Sequence, residues 1–272
     1  MSLAPTDPAA ALYRNNVRVS GNLEGRPLVF GHGFGCSQEM WRKVVPAFEE
    51  QYKVVLFDHV GSGNSDLSAY DPGKYDSLYG YADDVVELAE ELGLRDAVFI
   101  GHSVSSMIGV LASIQRPDLF GGLVLVGPSP RYVDDDDYCG GFVQADIDAL
   151  LDALDTNYFG WSELMAPQIM GNPAAPELGV ELVDSFCRTD PAIASQFAKV
   201  TFLSDNRRDL PKVTVPTLVL QCSDDIIAPV EVGVYVYESI PNSTFVLLDA
   251  SGHCPHLSAP DAVAEAVLGF LR

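Results

Sequence analysis

Short apolar runs, separated by longer amphipathic segments, dominate the pattern of hydrophobic and polar positions along this chain. Most of the runs are apolar throughout, which is typical of strands buried on both faces of a parallel sheet. The predicted strands are residues 27–31, 53–58, 96–100, 122–127, 216–221 and 244–249. Their alternation with helical segments predicts an α/β fold, a mostly parallel, doubly wound sheet with right-handed crossovers.

Helical periodicity marks several of the connecting segments. Residues 81–92 carry apolar side chains three and four positions apart, which places them on one face of a helix. A second helix is predicted to begin at Ser103, and a third covers residues 260–271. These segments have the length expected for helices that cover the faces of the sheet.

Residues 128–209 interrupt the alternation, because no strand pattern recurs there. This span has helical periodicity and is rich in aromatic residues. We interpret it as a helical insertion that forms a lid with an apolar underside over a pocket. The predicted domains are therefore a core made of residues 1–127 and 210–272, and a lid made of residues 128–209.

Composition limits the classes of function. The 272 residues are 47% hydrophobic and 20% charged, as in soluble globular enzymes, and the net charge is −22. Such a charge repels phosphate backbones and anionic lipids, which argues against nucleic-acid and membrane binding.

The chain shows neither a signal-peptide pattern nor a long apolar span, so a cytoplasmic location is predicted. The five cysteines have no CxxC spacing and suggest neither a zinc site nor a disulfide framework.

A candidate nucleophile stands at the end of the third predicted strand. Residues 96–106 read DAVFIGHSVSS, a buried strand that passes through Ser103 into a helix. This context fits the nucleophile elbow G-x-S-x-G, in which small neighbours let the strand and helix cross closely. Ser105 replaces the last glycine, and serine is still small. The pattern predicts that Ser103 is a catalytic nucleophile.

A serine hydroxyl needs a base, and on this fold an acid and then a histidine follow the serine along the chain. His253 follows the last predicted strand and is the predicted base, while His256 is a competing candidate assigned to a structural role. Asp225, after the preceding strand, is the predicted acid, and Asp249 is the alternative. Asp225 would hold the tautomer of His253 and stabilise its imidazolium form.

Two glycine-rich turns follow the first two predicted strands. The turn FGHGFG at residues 30–35 can present backbone amides, and the N–H groups of Phe34 and Val104 are the predicted oxyanion donors. His32 is predicted to stabilise this turn. Residues 57–66, FDHVGSGNSD, fit no phosphate-binding motif and are interpreted as a structural turn.

Several long stretches carry a resemblance to a known family. They are GHSVSSMIGVLASIQRPDLF, SPRYVDDDDYCGGF, TDPAIASQFAK, KVTVPTLVLQCSDDIIAP and GHCPHLSAPD. They resemble the α/β-hydrolase superfamily, and within it the group of the bacterial RsbQ regulator and the plant karrikin and strigolactone receptors. The resemblance implies a four-helix lid and a triad of Ser103, Asp225 and His253. It also implies oxyanion donors at Phe34 and Val104.

The same resemblance implies pocket aromatics at Phe142 and Phe202, in addition to the ring of Phe34 beside the nucleophile.

The predicted function is a serine hydrolase that cleaves a small apolar ester, lactone or butenolide-like ligand without a metal or other cofactor. The alternative is a signalling regulator or small-molecule sensor whose lid acts on a protein partner, by resemblance a PAS-domain phosphatase similar to RsbP. A carbon–carbon bond hydrolase stays open, whereas related dehalogenases and epoxide hydrolases need an aspartate in place of Ser103.

Overall fold

Seven strands form one sheet within residues 10–272, the part of the chain that the computed structural model describes. The strands are β1 (Arg18–Gly21), β2 (Pro27–Gly31), β3 (Lys53–Leu56), β4 (Ala97–His102), β5 (Phe120–Val126), β6 (Thr217–Asp224) and β7 (Ser243–Ser251). Their order in space is β1-β3-β2-β4-β5-β6-β7. Only β1 is antiparallel to its neighbour, and the other six strands are parallel.

Ten α-helices lie within residues 10–272, and those outside the segment between β5 and β6 cover the faces of the sheet. The ten helices are α1 (Ala10–Arg14), α2 (Leu78–Glu91), α3 (Val104–Gln115), α4 (Gln144–Thr156), α5 (Tyr158–Met170), α6 (Pro176–Phe186), α7 (Pro191–Phe202), α8 (Val230–Ser239), α9 (Pro255–Ser258) and α10 (Pro260–Leu271). Alternate residues of the central strands enter two apolar clusters. Val29 and Phe99 pack towards α2 and α3, while Leu28 and Ile100 pack towards α10. Each of the central strands β2, β4 and β5 is therefore buried on both sides, as its continuous apolar sequence predicts.

The predicted fold class is confirmed: the chain forms a mostly parallel, doubly wound α/β sheet. The boundaries of β2 and α10 are as predicted, and those of the other predicted elements differ by up to three residues; β6, for example, continues to Asp224. The edge strand β1 was not predicted, because its sequence RVSG is mostly solvent-exposed and carries no apolar run. The helix α8 was missed as well. Its sequence VEVGVYVYES is rich in residues that favour strands, yet Val232, Gly233 and Val236 bury one helical face.

Four helices, α4 to α7, lie between β5 and β6 and pack around a third apolar cluster. Buried members of this cluster include Ile147, Leu154, Trp161, Phe186 and Phe202. The division into a core and a lid at residues 128 and 209 stays a prediction, and residues 1–9 of the predicted core lie outside the described part. No helix within residues 10–272 has the length and apolar character needed to cross a membrane.

Candidate active site

Ser103 lies at the sharp turn between β4 and α3. Its backbone has φ 56° and ψ −123°, a conformation that non-glycine residues rarely adopt, and its N–H donates to the Val126 carbonyl at 2.8 Å. Strand and helix cross closely here, since a Cβ at Gly101 would lie 2.4 Å from the Ser105 carbonyl oxygen. The turn aims the Ser103 side chain into a cavity above the sheet.

The imidazole of His253 reaches Ser103 from the loop after β7. Its Nε2 lies 2.7 Å from the Ser103 Oγ. Gly127 makes room for the ring, because a Cβ there would lie 3.2 Å from the His253 Cε1. The His253 backbone N–H donates to the Ile169 carbonyl of α5 at 2.8 Å. The imidazole is thus fixed in hydrogen-bonding contact with the hydroxyl.

Asp225 holds the other side of the imidazole. Its Oδ2 lies 2.7 Å from the His253 Nδ1, and its Oδ1 accepts the N–H groups of Ile227 at 2.8 Å and Ala228 at 3.1 Å. The neighbouring Asp224 and the alternative acid Asp249 are both exposed to solvent. A proton on Nδ1, donated to the carboxylate, leaves the Nε2 lone pair facing the serine. This arrangement can take a proton from the hydroxyl during nucleophilic attack.

The two predicted oxyanion donors flank the nucleophile. Phe34 follows β2, and Val104 is the first residue of α3, where the helix dipole favours negative charge. Within residues 10–272 neither backbone N–H donates to another protein group. Both groups are therefore available to a carbonyl oxygen that becomes negative during attack by Ser103.

The cavity above Ser103 is apolar and narrow, with a volume of about 30 Å³. Phe34 and Phe202 line it, as do Trp161 and Phe186 from α5 and α6. The Phe34 ring centroid lies 5.8 Å from that of Phe186 and 6.3 Å from that of Phe202. Among the described residues that line it, none is a lysine, arginine, aspartate or glutamate. The cavity suits a small uncharged molecule.

Phe142, the third predicted pocket residue, is not among the residues that line the cavity. Its backbone forms a short bridge with Val133, in which its N–H donates to the Tyr132 carbonyl and its carbonyl accepts from Asp134. This bridge keeps the half-buried ring just before α4, where it packs against the third apolar cluster. The structure thus brings Phe34 and Phe202 to the nucleophile but not Phe142.

Tyr132 also lines the cavity, although no pattern in the sequence predicted a role for it in the site. It is 1% exposed, and its hydroxyl faces Ser103 from the loop after β5. Burial raises the pKa of Tyr132 to about 12, although the nearby Ser103 hydroxyl opposes this shift. The phenol is therefore protonated at neutral pH and can donate a hydrogen bond to a bound ligand. Only the loop conformation brings it there, and no spacing in the sequence signals that.

One group of metal-ligating residue types lies beside the triad. Potential ligand atoms of His102, Cys254 and His256 lie within 4.8 Å of one another, and all three residues are buried. The His102 Nε2 donates to the His253 carbonyl at 2.7 Å, which leaves only Nδ1 for an ion. Burial raises the pKa of the Cys254 thiol, which disfavours the thiolate that metals prefer. The prediction of a metal-free site stays a prediction.

Four histidines, His32, His59, His102 and His256, are buried, and burial lowers the pKa of each, for His256 to about 3. They fold as neutral rings, whereas in the unfolded chain their pKa is about 6.5. Below that value the unfolded state binds more protons. We therefore expect the free energy of unfolding to have its full value well above pH 6.5 and to fall as the pH drops towards 5. The contribution of His256 to this loss should approach about 1.4 kcal/mol per pH unit.

Urea unfolding at several pH values between 7.5 and 5 measures this slope. The substitution His256→Phe provides the comparison, because neither nitrogen of that ring has a hydrogen-bond partner and the ring packs on Trp41 with centroids 4.7 Å apart. The variant is expected to lose about 1.4 kcal/mol per pH unit of the slope. Parallel slopes for the two proteins would contradict the assignment of His256 as a neutral buried ring.

Comparisons with known proteins agree with this geometry. Residues 28–266 match the family described as the Alpha/beta hydrolase family. The chain is 40% identical to the karrikin insensitive 2 receptor CA of Petunia hybrida, with 95% of this chain and 96% of the receptor covered. It is 39% identical to the strigolactone esterase D14 of Arabidopsis thaliana, with 94% of each chain covered.

A solved structure of a hydrolase from Oleispira antarctica superposes with a TM-score of 0.95 at 40% identity and 99% coverage of both chains. The predicted resemblance to the α/β-hydrolase superfamily, and to its karrikin and strigolactone receptors, is confirmed by these matches. Fold, sequence and structural similarity lead to one conclusion. The chain belongs to the alpha/beta hydrolase family.

Proposed function

We propose that this protein hydrolyses a small apolar carboxylic ester or lactone through an acyl-enzyme on Ser103. The observation that carries the proposal is the continuous hydrogen-bonded chain from Ser103 Oγ through His253 to Asp225, with both distances at 2.7 Å. Packing alone gives no reason for three such polar groups to be buried in line beneath an apolar cavity.

The reaction follows from this geometry. His253 Nε2 takes the Ser103 proton as Oγ attacks the substrate carbonyl, and the N–H groups of Phe34 and Val104 bind the oxyanion. When the intermediate collapses, the leaving alkoxide takes that proton from His253. His253 then deprotonates a water molecule that attacks the acyl-enzyme, and Ser103 regains its proton as the acid leaves. In a lactone the alcohol stays attached to the acyl group.

The lining and the volume of the cavity support a class of substrate. Its aromatic lining and the absence of charged side chains among its described lining residues favour an uncharged, apolar molecule, and its volume of about 30 Å³ favours a small one. The similarity to a strigolactone esterase supports a lactone, including a butenolide. We also propose that α4 to α7, within residues 128–209, act as the lid of this cavity, because α5, α6 and α7 supply most of its aromatic lining.

Steady-state hydrolysis tests the proposed class. We expect many turnovers per protein with p-nitrophenyl acetate and p-nitrophenyl butyrate and with a fluorogenic butenolide. The p-nitrophenyl ester of succinic acid, which adds a carboxylate to a similar chain length, is the control. It should react at least about tenfold more slowly, because the apolar cavity does not solvate the charge. Equal rates for the neutral and charged esters, or no release above background, would contradict the proposal.

A second candidate is a small-molecule sensor that hydrolyses its ligand slowly or once. The specific observation in its favour is the exposure of large apolar side chains on the lid, since Phe159, Leu164 and Val180 are each more than half exposed. Such groups suit a protein partner, by resemblance an RsbP-like PAS-domain phosphatase. The same assay separates the candidates, because release of one equivalent of nitrophenol per protein, followed by arrest, favours the sensor.

A further inference from the structure

Ser105 stands where the nucleophile elbow motif has glycine, and its hydroxyl makes two buried hydrogen bonds. Its Oγ donates to the His32 carbonyl at 2.5 Å, and the His59 Nε2 lies 2.7 Å from the same oxygen. A carbonyl oxygen can only accept, so the single Ser105 proton belongs to that bond. His59 must then carry its proton on Nε2 and donate it to Ser105.

A second pair of bonds fixes the protonation of His32. The His59 backbone N–H donates to the His32 Nε2 at 3.1 Å, so that nitrogen carries no proton. The His32 Nδ1 therefore carries the proton and donates to the Gly33 carbonyl at 2.9 Å. Both rings are neutral and completely buried, and burial lowers the pKa of each. The set of residues 32, 33, 59 and 105 thus has one consistent pattern of donors and acceptors.

This pattern connects the two segments that carry the oxyanion donors. Phe34 belongs to the loop after β2, and Val104 belongs to the start of α3. Pairing between β2 and β4 ends at Gly31 and Gly101. One residue after Gly31, the hydrogen bond from the Ser105 hydroxyl to the His32 carbonyl connects the loop after β2 to the start of α3.

The loop that this bond holds lies directly against the nucleophile. A Cβ at Gly33 would lie 2.6 Å from the His102 Nδ1 and 3.4 Å from the Ser103 Cβ. The position of residues 32–34 therefore determines where the Phe34 N–H lies relative to the Val104 N–H. A glycine at position 105, as in the motif, has no hydroxyl to make this link.

We propose that Ser105 is a positioning residue that sets the separation of the Phe34 and Val104 N–H groups through its bonds to His32 and His59. The proposal rests on the proposed hydrolysis by Ser103. Its consequence is specific to the transition state, because the oxyanion forms only after attack. Loss of one oxyanion donor lowers kcat by about 10²- to 10³-fold in a serine hydrolase. Displacement of a donor that is still present should lower it by about 10- to 100-fold.

The test compares Ser105→Ala with Ser106→Ala. Ser106 is also completely buried, and its hydroxyl also donates to a backbone carbonyl, that of Gly101 at 2.9 Å, but this bond stays within the elbow. Ser105→Ala is expected to lower kcat for p-nitrophenyl butyrate about 10- to 100-fold with KM within twofold of the parent value. Ser106→Ala should leave both constants within about threefold. Ser105→Gly, which restores the motif, replaces Ser105→Ala if that variant does not fold.

Binding of phenylboronic acid gives the readout that a general structural defect would not produce. Its tetrahedral adduct on Ser103 places a boronate oxygen in the oxyanion hole, so its affinity should fall in Ser105→Ala by about the same factor as kcat. Thermal unfolding of each variant measures stability separately. A kcat loss that comes with a raised KM and unchanged phenylboronic acid affinity would overturn the proposal.

Ser103→Ala separates this proposal from the proposed function. If Ser103→Ala abolishes turnover while Ser105→Ala behaves like Ser106→Ala, the positioning role is wrong and the hydrolysis by Ser103 stands. If Ser103→Ala keeps the parent rate, both are wrong. Loss of turnover in Ser103→Ala together with matched losses of kcat and phenylboronic acid affinity in Ser105→Ala would support both.

Discussion

Replacement of Ser103 by alanine is expected to lower kcat for p-nitrophenyl butyrate by about 10⁴- to 10⁶-fold. The reason is that Ser103 Oγ is the atom 2.7 Å from the His253 Nε2, and its removal leaves the base with no hydroxyl to activate. KM should change little, because the apolar walls of the cavity stay in place. The measurement is initial-rate kinetics at pH 7.5 together with the thermal unfolding temperature.

Ser106→Ala is the control for the Ser103 result, since it removes a buried hydroxyl three residues along the same elbow and helix. It should keep most of the parent activity. A Ser103→Ala protein that retains kcat within tenfold of the parent value would show that another group attacks the ester.

The substitution Asp225→Asn is expected to lower kcat by about 10⁴-fold, although it changes the volume of the side chain very little. The Oδ1 of Asp225 accepts the N–H groups of Ile227 and Ala228, so the amide oxygen of asparagine will take that position. Its NH₂ group then faces the His253 Nδ1 and donates to it. His253 is forced to carry its proton on Nε2, where it can no longer act as a base towards Ser103.

Asp224→Asn is the matched control for this prediction. It removes the same charge from the neighbouring residue, but the Asp224 side chain is exposed and, among the described residues, makes no hydrogen bond to His253. Its kcat should stay within about threefold of the parent value. If both variants lose activity equally, the effect comes from the change in net charge and the assignment of Asp225 as the acid is wrong.

Much of the fold could be predicted from the sequence because its central elements have simple patterns. Strands buried on both faces have continuous apolar runs, so β2, β4 and β5 were predicted within two residues of their observed limits. The edge strand β1 and the helix α8 were missed because tertiary position decides them. β1 has little to bury, and α8 is helical despite its many valines and tyrosines because it crosses between the parallel strands β6 and β7.

Some residues of the candidate site could also be predicted from the sequence, whereas others depend on the tertiary structure. Ser103, Asp225 and His253 could be predicted because each follows a strand of a parallel sheet, whose carboxyl ends meet at one edge. The contact of Tyr132 with the cavity depends on a loop conformation, and the displacement of Phe142 depends on its bridge to Val133. From the sequence, Ser105 was interpreted only as a small residue in place of the last glycine of the motif. Its bonds to His32 and His59 join residues 73 and 46 positions apart, respectively, which no local pattern reveals.

The most direct test of the account is to locate the acyl group on the protein. The His253→Ala variant, which can be acylated slowly but lacks the base for deacylation, is incubated with p-nitrophenyl butyrate, quenched in acid and analysed by intact mass and peptide mapping. The account predicts one butyryl group per protein, on Ser103, and no adduct when Ser103→Ala is added to the variant. A butyryl group on any other residue, or no adduct while nitrophenol is released, would contradict it.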